Sequence, residues 1–441
     1  MRTATMLLAL LVSAPVLAEV PSEVRDAPGA EAYPLDDALL VWQRVDVVLG
    51  DDGRVIRTED AALKMFTAKS TRANHFDPHI DWNDARTALS VDDVRSWMVD
   101  GTEVVAKDNS QVPNTAPELQ WAVPYAHMRR MTVAHVGVEH GGTSRLATTL
   151  TDREPTGLPL WGALDLNGPF PVLRQHVRIA GKGDLSWAVL GGEGVIEIGG
   201  EVTDDGASVV LERANVPAHD PAEGWPAPRL VWSTASSWDE VRQILRERID
   251  LALEPDDQVR AKVEDLVVPG MLPDERTAVL HRFVVEGVRT VAWPVDAFDY
   301  AARPAGEVLD SSVGHALDKA VLLVALLRSA GLDAQIALAA SGWAVAEAVP
   351  TPVQLDQVWV QTGGTWLDPT ALRDHHNLWH LAGHPVLLLE GTGVPQALEA
   401  PAGEDVASLR LSVDLEDGGH EVLVSGSAEV DLAREYNPVV G

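Results

Sequence analysis

The chain of 441 residues contains no cysteine. Disulfide bracing is therefore excluded, and so is any thiol nucleophile. Positive charge is also scarce: 34 lysines and arginines face 66 aspartates and glutamates, a net charge of -32. Such a field repels phosphate backbones and anionic lipid, which argues against nucleic-acid and membrane-surface partners. No apolar run after the first 18 residues is long enough to cross a bilayer. Val321 to Ala340 comes nearest, and Arg328 and Asp333 interrupt it. Without cross-links, stability has to come from packed cores, which 14 tryptophans and abundant aliphatic residues can supply.

The chain begins with Arg2, an apolar run from Met6 to Val12 and the small-residue site Val16-Leu17-Ala18. This pattern predicts a secretory signal peptide over 1–18, cut after Ala18. No cysteine stands at the cleavage site to accept a lipid. The expectation is an exported protein, periplasmic or secreted.

Residues 30–225 read as strands. Val41, Val45, Val47 and Leu49 alternate with Trp42, Arg44, Asp46 and Val48, and Asp52-Gly53 turns into Arg54 to Arg57. Met131 to Val138 and Ala207 to Arg213 repeat the theme, so an N-terminal all-β sandwich is expected. The Pro-rich stretch Gly224 to Pro228 reads as a linker. Helical signals follow it. Ser237 and Glu240 have capping-box spacing, and Val241, Ile244, Leu245, Ile249 and Leu253 mark one helical face. Further helices are predicted over 256–266, from Pro273, and over 316–330, the last closed by Arg328 and Gly331. Strands are then predicted over 333–340, 358–361, 365–367 and 386–389, giving an α+β domain over 236–395. Alternation at Leu409, Leu411, Val413 and Leu415, the Asp417-Gly418-Gly419 turn and the return through Val422 and Val424 form a last hairpin, a short C-terminal β segment over 404–441.

The most specific motif is Ser312-Val313-Gly314-His315-Ala316-Leu317-Asp318-Lys319-Ala320, followed by the apolar run Val321 to Leu327. It resembles the nucleophile segment of the transglutaminase-like superfamily, where a cysteine at the mouth of the helix occupies the position of Ala316. Downstream, Trp366-Leu367-Asp368-Pro369-Thr370 resembles the family's carboxylate element. The resemblance implies a papain-like fold for 236–395. It also implies that Asp368 stands at the carboxylate position and Gln357 at the histidine position. More loosely, 30–225 resembles the all-β domain of unknown function that precedes such domains in exported bacterial proteins.

Hairpin geometry around Gly363-Gly364 bears on that placement. A two-residue turn there sets Thr362 against Thr365 and Trp359 against Asp368, leaving Gln357 on a diagonal of roughly 7–8 Å from Asp368. A turn one residue earlier makes Gln357 and Asp368 directly opposed. Either register keeps the two on one face.

Ala316 has no nucleophilic atom, and Gln357 cannot trade a proton near neutral pH. Two losses in one triad predict a pseudoenzyme with no catalytic residue and no cofactor. It would bind or scaffold through a cleft lined by His315, Ala316, Gln357, Trp359 and Asp368, for a peptide, protein or glycan of the cell envelope. The alternative is an unconventional hydrolase or metal-dependent enzyme built on His315, Asp368 and the pair His376/His380. That pair has i,i+4 spacing, but Gly383 and Pro385 would end any helix nearby and no metalloprotease glutamate accompanies it. A Ser312/His315 pair would need a loop nucleophile, so Ser311, Ser312 and His315 read as solvent-facing loop residues. Asp318 and Lys319 read as determinants of the fold.

Overall fold

The computed structural model describes residues 20–70, 78–191, 194–219, 227–341, 344–372 and 381–399, with the backbone of 406–417 and 420–431. The predicted leader and His376 and His380 lie outside the described residues. Six α-helices are described: α1 (Ser22–Arg25), α2 (Trp238–Ile249), α3 (Asp257–Leu266), α4 (Pro273–Gly287), α5 (Ala305–Ser311) and α6 (Ala316–Ser329).

The N-terminal part is β-rich. An eight-stranded sheet has Ala38–Leu49 near its centre, antiparallel to Val55–Met65 on one side and parallel to Val172–Ala180 on the other. A four-stranded sheet, built from Gly194–Val195, Ser186–Gly191, Arg229–Ser233 and Trp161–Asp165, covers part of it. Period-2 alternation decides which side chains meet. Val45, Val47, Val177, Ile179, Val209 and Leu211 point inward onto Val189, Leu230 and Trp232. Each such side chain contributes roughly 1.5–3 kcal/mol on burial. The sequence reading closed this part at 225, with a linker over 224–228. The strand Arg229–Ser233 pairs back into the four-stranded sheet and carries the β-rich part past that point.

A third sheet, His79–Asn83, Met128–Val133 and Gln111–Thr115, departs from these two. With the short 3₁₀ turns Pro117–Leu119 and Val123–Tyr125 it reaches the α+β part. There Ala116, Leu119, Tyr125 and Met128 share one core with Val291, Phe298 and Val313.

The α+β part has α6 at its centre. Every residue from Leu317 to Leu327 is buried, because helices, strands and loops surround it on all sides. One face of a five-stranded antiparallel sheet packs on it. The strand order is Thr365–Leu367, Gln357–Thr362, Ala334–Ala339, Pro385–Leu388 and Gln396–Ala397. Ile336, Leu338, Val358, Val360 and Leu367 face the helices, whereas Ala337, Ala339, Trp359 and Trp366 form a separate cluster with Leu381 and Val386.

Local chemistry sets the helix ends. The Ser237 hydroxyl accepts the Glu240 amide at 3.2 Å, while the Glu240 carboxylate takes the amide of Ser236 rather than that of Ser237. The expected capping box is thus offset by one residue. Asp256 caps α3 through the Val259 amide at 2.9 Å. The C-terminal strands Val406–Asp417 and His420–Asp431 pair in register, Asp417 with His420 and Val413 with Val424.

Candidate functional site

The parallel pair Arg289–Val291 and Val313–His315 delivers the chain to the N-terminus of α6. Gly314 is required there by close approach: a Cβ would lie 2.9 Å from Asp318 Cβ and 3.3 Å from Lys319 Cγ. His315 is the N-cap, its Nδ1 accepting the Leu317 amide at 3.2 Å. That bond fixes the proton on Nε2, which faces Asp318 Oδ1 at 3.4 Å. The ring stacks on Phe298 at 4.3 Å between centroids, and only 1% of the residue is exposed. Burial holds its pKa below the ordinary value, with the Asp318 charge opposing. The expectation that His315 faces solvent in a loop is overturned: the imidazole is a sealed cap. Ser311 ends α5 and donates to Glu307 O at 2.8 Å, whereas Ser312 is exposed in the left-handed region at φ 52°.

Asp318 is fully buried and gathers groups from three directions. The Tyr125 phenol donates to Oδ2, the Arg303 amide donates to Oδ1 at 2.8 Å, and His315 faces the same oxygen. The Tyr125 oxygen in turn accepts the His315 amide at 2.9 Å. Burial, reinforced by the Asp318 charge, pushes this phenol well above the usual tyrosine range. Arg303 continues the network through Val313 O and Ser311 Oγ, both at 3.0 Å.

Lys319 points the other way around the helix, as successive residues must. Its ammonium donates to Val288 O at 2.8 Å, Thr290 Oγ1 at 2.9 Å and Val285 O at 3.4 Å. Burial lowers its pKa to about 8, and the charge of Asp368 works in the opposite sense. Asp318 and Lys319 thus tie α6 to its surroundings, in keeping with their reading as fold determinants.

Ala316 is half-buried at the first turn of α6. Gln357 opens the strand Gln357–Thr362, and its Oε1 accepts the Trp359 indole N–H at 3.0 Å. Trp359 itself is buried on the sheet face turned away from α6. The hairpin pairs Thr362 with Thr365 and Val360 with Leu367, the register of a turn at Gly363-Gly364. Asp368 follows that strand. Its carboxylate accepts the amide and hydroxyl of Thr370 at 2.8 and 2.6 Å, and its carbonyl accepts Nε2 of buried His281 at 2.6 Å. Among the described residues no group of three or more metal-ligating side chains converges. Two contributors escaped the sequence reading. Tyr125 lies 193 residues from Asp318, and His281 lies 87 residues from Asp368, so no local spacing couples either pair.

No family model matches the chain, and no curated protein matches it. A crystal structure at 2.00 Å resolution of a "putative protease" from Parabacteroides distasonis is similar over 82% of this chain and 72% of that one, with 21% identity and a TM-score of 0.73. At this identity the likeness shows the fold alone. Two crystal structures of a two-domain M1 zinc metallopeptidase, bound to L-arginine and to L-tryptophan, are 10% and 9% identical over 45% of this chain and 42% of theirs. Their TM-score of 0.21 is too low to carry an argument.

Proposed function

We propose that this chain is a non-catalytic relative of the transglutaminase-like proteins, exported, that binds or scaffolds a peptide, protein or glycan of the cell envelope through the region around Ala316. One observation supports the reading above others. The eleven residues after Ala316 are buried without exception, whereas Ala316 itself reaches the surface. The position that would carry a nucleophile keeps its access and its place at the positive end of a helix, with only a methyl group to offer. A papain-like arrangement for 236–395 belongs to the same proposal.

The hydrolase reading through His315 and Asp368 is less well supported. His315 has both ring nitrogens engaged behind Tyr125 and Phe298, and the Asp368 carboxylate is turned to Thr370. The decisive experiment compares the mature protein with Ala316→Trp for retention of defined cell-envelope peptides and glycans. Retention by the wild type that Ala316→Trp abolishes would support the proposal. Retention indifferent to the substitution would move the binding surface elsewhere.

A further inference from the structure

The C-terminal strands Val406–Asp417 and His420–Asp431 form a two-stranded sheet that joins no other sheet among the described residues. Each strand has 12 residues, about 40 Å of extended chain. A two-stranded hairpin on its own is at best marginally stable in water.

Register and alternation sort its residues onto two faces. On one of them every position from Ala407 to Leu415 and from Val422 to Val430 is apolar or glycine. The other face carries the carboxylates of Asp414, Glu416, Glu421, Glu429 and Asp431, with Arg410 as its one cation. Only the first face can be buried cheaply, because uncompensated carboxylates resist leaving water.

Bulk is unevenly spread over the apolar face. Leu409 is paired with Ala428 and Leu411 with Gly426, so the first strand is large where the second is small. A two-fold axis lying between two such faces, parallel to the strands, sets the first strand of each copy over the second strand of the other at the same level. Leu409 and Leu411 of one copy then stand over Ala428 and Gly426 of the other, and Val413 stands over Val424. Large over small is how two sheets about 10 Å apart fill the space between them. The same operation turns both acidic faces outward, away from each other.

The area also suits a second copy. The valines and leucines of the face, at roughly 60–120 Å² each, give about 600 Å² per copy and about 1,200 Å² for the pair. Stable interfaces begin at about that size.

We infer that the apolar face of this hairpin is the contact surface for a second copy of this chain, the two hairpins making a four-stranded sandwich about a two-fold axis parallel to their strands. Nothing at Ala316 enters this pairing, so it stands or falls apart from the transglutaminase-like reading.

Sedimentation velocity of the mature protein, from about 1 to 100 µM, tests it at the affinities that an interface of this size commonly gives. The wild type should pass from monomer to dimer across that range. Gly426→Leu sets leucine over leucine and should weaken the dimer by about tenfold or more. Adding Leu411→Ala exchanges large and small within the same pair and should recover most of the loss. Recovery separates a clash between copies from a hairpin that fails to form. A wild type still monomeric at the highest concentration would overturn the inference, the face then being covered within the chain, by another protein or by lipid. A dimer indifferent to Gly426→Leu, or a loss that Leu411→Ala does not recover, would overturn it as well.

Discussion

The phenol of Tyr125, at the tip of the β-rich part, donates its proton to the buried carboxylate of Asp318 in the first turn of α6. The same oxygen accepts the amide of His315, the residue that caps that helix. One side chain therefore satisfies both a buried acceptor and a buried donor at the head of the motif helix. Neither could be left open cheaply, because a buried unpaired polar group costs about 1–3 kcal/mol. The two parts of the chain are joined by a polar bolt as well as by the apolar contacts of Tyr125 with Phe298.

Tyr125→Phe keeps the ring and removes the bolt. The ring contact with Phe298 at 5.4 Å should survive, while Asp318 loses a donor and the His315 amide an acceptor. Urea unfolding should show a loss of about 1–3 kcal/mol. An unchanged midpoint would mean that the network carries no net stability.

Lys319 gives a pH signature in the alkaline range. Its folded pKa of about 8 lies below the ordinary lysine value of 10.5, so between the two the unfolded chain holds more protons than the folded one. Stability must then rise with pH across that window. Relative to Lys319→Met, the wild type should gain up to about 3 kcal/mol between pH 8 and 10.5, followed by denaturant titration at each pH. A constant difference across the window would show that the ammonium is not destabilised by burial.

Much of this was legible in the sequence because local rules wrote it. Alternation at Val45 and Val47 located the core of the β-rich part, and the apolar run after Ala320 located the most buried helix. A hairpin at Gly363-Gly364 was legible as well, in either of two registers, and the structure has the one in which those two glycines make the turn. The failures share a physical cause. His315 looks like a loop residue because polar residues before a helix are usually wet, yet here Tyr125 and Phe298 arrive from elsewhere and close over it. The helix α5 has only seven residues, too few for periodicity to reveal. Asp152 and Asp296 line the same cavities although more than a hundred residues separate them, and no one-dimensional pattern records such a meeting.

His315 supplies the opposite end of the pH scale. Its folded pKa is depressed below 6.5 by burial, so the stability tied to its neutral form is present above that value and is lost as pH falls toward the folded pKa. Protonation of Nδ1 would also break the cap on Leu317. His315→Asn retains a capping side chain but cannot titrate. Compared at pH 7.5 and pH 5, the wild type should lose more stability than this variant in chemical denaturation. A smaller loss in the wild type would reverse the sign and refute the assignment.

Absence of cysteine makes the vacated position open to a clean chemical probe. Ala316→Cys would place the chain's single thiol at the N-terminus of α6, where free amides and the helix dipole favour thiolate. The pH midpoint of its alkylation by iodoacetamide should fall below the ordinary value of about 8.5. Adding Gln357→His tests the rest of the proposed triad. If residue 357 stands where the transglutaminase-like arrangement puts its imidazole, the second change should lower the midpoint further, because an imidazolium beside the thiolate stabilises it. If the midpoint ignores the histidine, residue 357 does not face residue 316. Gln357 would then belong only to Trp359, on the sheet face turned away from the helix, and the reading of this site as an emptied transglutaminase centre would fall with it.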